Sequence, residues 1–148
     1  MKFVKIFSII LCLIILIVCV IYLSDYWYYP KHIDENKVMV DIVVPTGEDV
    51  DKVDIKITNK NRFPILLLLN SYDRTNETFT FEIPMGYTSI EPRSEEILGE
   101  EFIILKKINA EQLLKEIESS NLYFVFIPDS ADTSDCEELR IKPNCYIG

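Results

Sequence analysis

Cys136 and Cys145 are the two side chains best placed in this sequence for covalent chemistry. Eight residues separate them, in the polar stretch that follows Pro128. In an oxidising compartment two such thiols favour a disulfide, which would close a loop of about ten residues and stabilise the fold by about 2–3 kcal/mol. The alternatives are two reduced thiols or a bridge between two copies of the chain. The sequence therefore predicts a Cys136–Cys145 disulfide if this segment lies outside the cytoplasm.

The remaining nucleophiles, bases and metal ligands do not form a recognisable catalytic pattern. His32 is the single histidine, and it comes soon after a long apolar segment, which does not favour a Ser-His or Cys-His pair. The four glycines are isolated, so the sequence contains neither a phosphate-binding loop nor a dinucleotide-binding turn. The two cysteines after Pro128 lack the second pair of ligands that a zinc site requires. We expect no catalytic residue, no metal site and no cofactor, and therefore no enzymatic activity.

Three aspartates near the C-terminus and one asparagine in the middle of the chain carry weaker signals. Asp129, Asp132 and Asp135 would supply the oxygen ligands that calcium prefers, but their spacing does not match an EF-hand loop. A solvated acidic loop is favoured there. Asn76 begins an Asn-Glu-Thr pattern and is a candidate glycosylation site in a host that glycosylates exported proteins.

The charge of the chain is unevenly distributed. All 24 acidic residues follow Leu23, together with 13 of the 15 basic residues, which gives residues 24–148 a net charge of −11. This balance repels phosphate backbones, so nucleic acid is not an expected partner. The acidity would keep a small domain soluble, and it would also steer a basic protein towards the domain.

The first segment of the chain predicts a membrane-spanning helix. Residues Ile6–Leu23 are 18 consecutive residues without a charge, and an α-helix of that length spans about 27 Å. The residues at the exit of the segment are bulky, from Val20 to Leu23, whereas a cleaved signal peptide ends in small residues. A retained anchor is therefore favoured over a signal peptide.

The residues on either side of this segment predict its orientation. Lys2 and Lys5 precede it, which places the N-terminus in the cytoplasm and the rest of the chain outside. The aromatic residues at the exit have the amphipathic character of a membrane-interface belt; they are Tyr22, Tyr26, Trp27, Tyr28 and Tyr29. The chain thus divides into an anchor at 1–24, an aromatic linker at 25–36 and a domain at 37–148.

Beyond the linker the hydrophobic pattern is that of β-strands. Apolar residues alternate with polar ones over 38–44, 53–58 and 78–83, as in strands with one solvent-exposed face. The run Ile65–Leu69 is too short to span a bilayer, and we expect a strand that is covered on both faces or paired in the centre of a sheet. Weaker strands are expected at 88–90 and 95–98, and stronger ones at 102–106 and 122–127. The sequence leaves open whether the apolar pairs Leu66/Leu68 and Phe124/Phe126 face a core or a partner.

One segment departs from the strand pattern. Residues 109–120 offer Asn109 as an N-cap, Gln112 three residues later, and Leu113 with Ile117 one turn apart. This spacing predicts a short amphipathic helix that lies on the sheet.

The order of these segments resembles an immunoglobulin-like β-sandwich of membrane-anchored extracytoplasmic proteins. The segments that carry the resemblance are "ITNKNRFPI", "FTFEIP" and "IEPRSEEIL", within residues 38–127. The resemblance implies a mainly β, antiparallel sandwich with one short inserted helix, preceded by the transmembrane helix. The Cys-Trp-Cys core of antibody domains is missing, and such folds serve many functions, so the resemblance concerns architecture alone.

These features favour a non-catalytic protein on a cell membrane. The leading hypothesis is a single-pass membrane protein whose extracytoplasmic domain binds a protein partner or supports an envelope assembly. The net charge of −11 suggests an alternative, an inhibitor or immunity-type protein that neutralises a basic toxin or hydrolase. A second alternative is a secreted soluble domain, released by cleavage within residues 17–24.

Overall fold

The computed structural model describes residues 1–27, 32–71, 79–84, 86–99, 102–129 and 136–148. The chain begins with helix α1, Lys2–Trp27. Within α1, the 21 residues Phe3–Leu23 have a mean hydropathy of 3.4, and none of this span is buried against the rest of the protein. By length and composition the span is sufficient to cross a membrane. An apolar N-terminal helix is therefore present, as the sequence predicts.

The rest of the described chain is mainly β. A 3-10 helix, Glu35–Lys37, precedes the first strand, and a second α-helix, α2, spans Ala110–Ser119. The strands are β1 Val38–Val44, β2 Asp54–Asn59, β3 Ile65–Ser71, β4 Phe81–Glu82, β5 Thr88–Ile90, β6 Ser94–Leu98, β7 Ile103–Ile104, β8 Tyr123–Pro128, β9 Leu139–Ile141 and β10 Asn144–Ile147.

The first four-stranded sheet, called sheet 1, has the strand order β10-β1-β2-β6. Its central strands follow the expected alternation, because Val38, Val40, Ile42 and Val44 are buried while the residues between them are at least partly exposed. The pairs β1–β2 and β2–β6 are antiparallel. The pair β1–β10 is parallel, which differs from the purely antiparallel arrangement that the sequence predicts. The parallel strand comes from the C-terminal segment, which has no hairpin connection to β1.

The second four-stranded sheet, called sheet 2, has the order β5-β3-β8-β9 and is antiparallel throughout. The aliphatic run that opens β3 is indeed a strand, and it pairs with β5 on one side and with β8 on the other. A β-bulge between Leu67 and Leu69 shifts its register against β8. Strand β8 is buried from Phe124 to Pro128, as expected for an apolar strand in the middle of a sheet.

A third, two-stranded sheet consists of β4 and β7. Strands were expected over 78–83 and 102–106, but the described residues of these segments pair only through Phe81–Glu82 and Ile103–Ile104. The Leu105 N–H also donates a hydrogen bond to the Thr80 carbonyl at 2.7 Å, and side-chain packing adds to these backbone contacts. The rings of Phe79, Phe81 and Phe102 stack in sequence, with centroid distances of 5.4 and 5.0 Å.

Sheet 1, sheet 2 and α2 share one hydrophobic core in the described part of the chain. Helix α2 begins at the predicted cap, where the Asn109 side chain accepts a hydrogen bond from the Gln112 N–H at 2.9 Å. It buries Leu113 and Ile117 in the core. Ile33, in the segment between α1 and β1, is also buried there. Members of this core that are fully buried include Phe124, Phe126, Ile42, Ile55, Ile57, Ile65, Ile83 and Ile90.

The chain crosses from sheet 2 to sheet 1 at both sides of the structure. Strands β5 and β6 are joined by the three residues 91–93, and β9 and β10 by the two residues 142–143. Each crossing contains a proline, Pro92 or Pro143. At the first crossing Arg93 has a positive φ of 53°, a backbone conformation that non-glycine residues rarely adopt. Two kinked segments therefore connect the edges of the two sheets.

The C-terminal crossing overturns the expected disulfide. Cys136 precedes β9, at the edge of sheet 2, whereas Cys145 lies in β10 and pairs with Ile42 in sheet 1. No disulfide joins the two residues. The segment between them runs through β9 and β10, which belong to different sheets, and in this arrangement the two sulfurs are not bonded. The spacing of the two cysteines in the sequence predicted a short disulfide-closed loop. The distance between their thiols, however, depends on which sheet each segment joins.

A buried side-chain amide connects sheet 1 to sheet 2. Asn59, at the end of β2, is completely buried, and its Nδ2 group donates hydrogen bonds to the carbonyl oxygens of Phe63, Ile90 and Glu91 at 3.0, 3.3 and 3.1 Å. Its Oδ1 accepts from the backbone N–H and the Nδ2 of Asn61 at 3.0 and 3.1 Å. This amide joins the β2–β3 turn to the end of β5 and the β5–β6 crossing, and its bond to the Ile90 carbonyl connects the two sheets directly.

Replacing the buried amide should destabilise the fold far more than replacing an exposed one. In Asn59→Ala the carbonyl groups and the Asn61 amide lose their partner while buried, and we expect the free energy of unfolding to fall by about 2–4 kcal/mol. Asn36→Ala is the matched control, because Asn36 is exposed and its side chain bonds only to nearby Asp34 at 3.3 Å. Its expected cost is below about 0.5 kcal/mol.

Urea unfolding of the full-length protein in detergent, followed by protease resistance, measures both values. Equal losses for the two variants would contradict the role assigned to Asn59.

Candidate interaction surface

The outward-facing side of sheet 1 is the most distinctive surface of the described chain. Because the alternate residues of each strand point into the core, their neighbours form this outer face. The outer face of sheet 1 consists of Met39, Asp41, Val43, Asp54, Lys56, Thr58, Glu95, Ile97, Asn144 and Tyr146, as the strand register places them. No covering layer of the described chain hides its apolar members.

Three large apolar side chains of this face are open to solvent. Ile97 is 62 % exposed, Tyr146 44 % and Met39 39 %. They lie on three different strands, β6, β10 and β1, so they are spread across the width of the sheet. The strand register places them in three different rows, so they are dispersed among the other side chains of the face and do not form one contiguous apolar patch.

The polar side chains of this face interact mainly with one another. Lys56 forms an ion pair with Glu95 at 3.0 Å, and the hydrogen bond to Glu95 together with its charge raises the pKa of Lys56. The Asn144 Nδ2 group donates to Asp41 Oδ1 at 3.0 Å. Asp54 adds a third carboxylate. The face therefore carries three acidic groups and one basic group, a net charge of −2.

The outer face of sheet 2 is different because its apolar residues are covered. Val125 and Ile127 point away from the core formed by Phe124 and Phe126, yet they are only 2 % and 7 % exposed. Leu66 and Leu68 are half-buried. The pair Phe124/Phe126 thus faces the core, and the covered outer face of sheet 2 offers little apolar surface to a partner.

Polar contacts also occupy the rim of sheet 2. The Ser89 hydroxyl donates a hydrogen bond to the Asp129 carboxylate. The Arg140 guanidinium lies over the ring of Tyr123, 5.4 Å from its centroid. These contacts tie β5 and β9, the two edge strands of the sheet, to the strand β8 and the residue that follows it.

Cys145 borders a small cleft between β10 and α2. The cleft has a volume of about 280 Å³ and is lined by Ile117, Glu118, Leu122, Lys142, Pro143 and Cys145. Burial, followed by the charge of Glu118, raises the pKa of the Cys145 thiol to about 11. A thiol with a raised pKa is a poor nucleophile near neutral pH, because the thiolate is the reactive form. Cys145 is therefore a packing residue in this structure.

The other residues singled out in the sequence do not assemble into a site. His32 lies 3.8 Å from Glu137, and both side chains are exposed. Tyr22 is exposed on α1. The side chains of Tyr26 and Trp27, and the residues Tyr28, Tyr29 and Asn76, lie outside the described part of the chain. Within the described residues no group of three or more His, Cys, Asp or Glu is arranged to hold a metal ion.

Sequence reasoning did not identify the outer face of sheet 1. Its signal was present in the strand pattern, because Met39, Ile97 and Tyr146 occupy positions where an alternating strand normally places polar residues. Recognising Tyr146 also required the strand β10, whose four residues follow Pro143 and were expected to be part of a polar tail.

Comparison of the chain with known protein families, with curated proteins and with solved structures finds no match. The functional proposal therefore rests on the fold and on the surface chemistry of the described residues.

The raised pKa of Cys145 predicts an unusual pH dependence of alkylation. In the folded protein the rate should rise about tenfold per pH unit above pH 8 and continue to rise towards pH 11, because only the thiolate reacts. In urea the same thiol should level off near its ordinary pKa of 9.0. Peptide mass spectrometry after timed iodoacetamide treatment measures both profiles, and a folded-state plateau near pH 9 would contradict the burial of this thiol.

The raised pKa of Cys145 also makes the stability of the fold depend on pH. Because the pKa is higher in the folded state, the stability linked to the neutral thiol is fully present below about pH 9 and is lost as the pH rises towards 11.

Proposed function

We propose that this chain is a non-catalytic, membrane-anchored protein whose extracytoplasmic β domain binds a protein partner, or supports an envelope assembly, through the outer face of sheet 1. One observation carries the proposal. The outer face of sheet 1 leaves Met39, Ile97 and Tyr146 exposed, whereas the corresponding face of sheet 2 buries Val125 and Ile127. A domain with one open and one covered sheet face has a defined side for a partner.

Two features support the membrane anchor and its orientation. The span Phe3–Leu23 is apolar and unburied, which is the state expected of a helix that is surrounded by lipid. Lys2 and Lys5 lie at its N-terminal end, and the acidic residues all follow it. Retention of basic residues on the cytoplasmic side then leaves the β domain outside.

For the fold of the domain we propose an immunoglobulin-like sandwich with additions. The shared core of sheets 1 and 2 supports this proposal, as does the placement of edge strands that pass from one sheet to the other. The parallel strand β10, helix α2 and the small sheet β4–β7 would then be additions to a plain sandwich.

A second candidate function is an inhibitor or immunity-type protein that neutralises a basic toxin or hydrolase. The net charge of −11 on residues 24–148 favours it, because such a charge accelerates the encounter with a basic protein. In both functions the domain acts by binding another protein outside the cytoplasm.

The orientation can be tested with single reporter cysteines. In a chain whose four native cysteines are serine, Tyr87→Cys places a thiol at a position that is 76 % exposed, and Lys2→Cys places one at the first residue of α1, before the apolar span Phe3–Leu23. A membrane-impermeant maleimide added to intact cells should label the first and not the second. The reverse result would place the domain in the cytoplasm. A labelled chain of lower mass in the medium would show instead that the helix is cleaved.

Binding through the outer face of sheet 1 can be tested by photo-crosslinking. We expect p-benzoylphenylalanine in place of Ile97 to form an adduct with another protein in membranes from the native host. The same probe in place of Tyr87, which is more exposed but lies beside sheet 2, is the matched control and should react far less. The absence of adducts from positions 39, 97 and 146 alike would contradict the proposed function.

A further inference from the structure

The chemistry of the outer face of sheet 1 specifies what kind of protein can cover it. Along one row of this face, the strand register places Asn144, Asp41, Lys56 and Ile97 side by side. The rows on either side contain Met39 with Glu95, and Tyr146 with Asp54. Each of the three rows thus contains one exposed apolar side chain and one acidic side chain, and a covering surface must match both.

The charges of the face are not balanced by its own basic residue. Lys56 is already paired with Glu95 at 3.0 Å. Asp41 lies beside Lys56 in the strand register, and its charge contributes to the raised pKa of Lys56. The side chain of Asp41 forms no ion pair with Lys56 and accepts a hydrogen bond from the neutral amide of Asn144 at 3.0 Å. A partner that covers this face would desolvate Asp41 and Asp54, and unpaired carboxylates are costly to bury. Positive groups opposite these two aspartates would remove that cost.

From this pattern, and on the premise of the proposed function, we propose that the partner is a protein that presents lysine or arginine side chains, interspersed with apolar ones, to the outer face of sheet 1. A lipid surface with anionic headgroups fits the face poorly, because the domain and the face are both negatively charged. A second copy of the chain would place like charges opposite one another in the same way.

The size of the face indicates how strong the contact can be. Four strands at a spacing of about 4.8 Å, with about five residues each, give a face of roughly 14 Å by 17 Å. The area of this face is therefore well below the ~800 Å² that each partner contributes to a standard interface. We therefore expect a weak, reversible contact in which electrostatic attraction has a large share, so that salt weakens it.

The proposal can be tested by removing negative charge from two different surfaces. In the face variant, Asp41→Asn, Asp54→Asn and Glu95→Gln remove the three acidic groups of the outer face of sheet 1, which changes its net charge from −2 to +1. In the control variant, Glu48→Gln, Asp51→Asn and Glu111→Gln remove the same charge from exposed residues outside that face. Charges at exposed or half-buried surface positions contribute little to stability, so both variants should fold. Equal melting temperatures would verify this.

Each variant carries the photo-crosslinking residue in place of Ile97, and membranes are irradiated in 0.05 M and 0.5 M KCl. In the parent protein we expect high salt to lower the adduct yield by roughly threefold or more. At low salt we expect a similar loss in the face variant and little change in the control variant. The captured chain, identified by mass spectrometry, should expose basic residues near the crosslinked peptide.

The other outcomes distinguish a failure of the proposed partner chemistry from a failure of the proposed function. Equal losses in both variants would show that overall acidity steers the partner and that the face does not match basic groups. A salt-insensitive adduct, or one with a second copy of this chain, would overturn the proposed partner chemistry while leaving protein binding intact. If position 97 yields no adduct in the parent protein and neither do positions 39 and 146, the proposed function itself fails.

Discussion

The relative position of the two sheets depends on one fully buried side-chain amide. Asn59 lies where the chain leaves sheet 1, and its hydrogen bonds end on carbonyl groups at the entry to β3 and at the end of β5. An amide in an apolar interior is stabilising only when its donors and acceptor are all satisfied, so the geometry around it is tightly restricted. The core can be filled by many combinations of Ile, Val and Phe, but this set of polar contacts fits one arrangement of the turn and the crossing.

The same restriction extends to the edges of the sheets. Strand edges carry unpaired backbone groups that invite association with other chains. Here the β5–β6 and β9–β10 segments each pair with one sheet and then, after a proline, with the other. The edge strands are short, and each continues at one end into an edge strand of the opposite sheet. The C-terminal segment completes both sheets at once, which makes the last residues of the chain part of the fold.

The sequence could predict those parts of the fold in which the hydrophobic pattern of a segment matches the burial of its residues. Strands β1 and β2 alternate because one face meets water. Strand β8 and the first five residues of β3 are continuously apolar, and both strands lie in the middle of sheet 2. Helix α2 is signalled by its cap and by the spacing of Leu113 and Ile117. The turn at Asn59–Asn61 was expected from its composition, yet composition does not show that these amides would be buried.

What the sequence could not show depends on long-range pairing. Strands β9 and β10 have only three and four residues with a proline between them, so their alternation is too brief to distinguish from a loop. The predicted disulfide failed for the same reason, because the sheet that each cysteine segment joins is decided by tertiary contacts. The outer face of sheet 1 combines residues from four strands that are distant in sequence, and its composition becomes visible only when the register is known.

The burial of Ile33 limits how far the domain can move from its anchor. Helix α1 ends at Trp27, and Ile33 is held in the core of the domain. Six residues at full extension reach at most about 22 Å, which is less than the diameter of a small domain. With α1 in a bilayer, as proposed, this short connection keeps the domain close to the membrane surface. A partner must come equally close to the membrane, so proteins that are themselves attached to the envelope would meet the domain at a far higher local concentration than proteins in free solution.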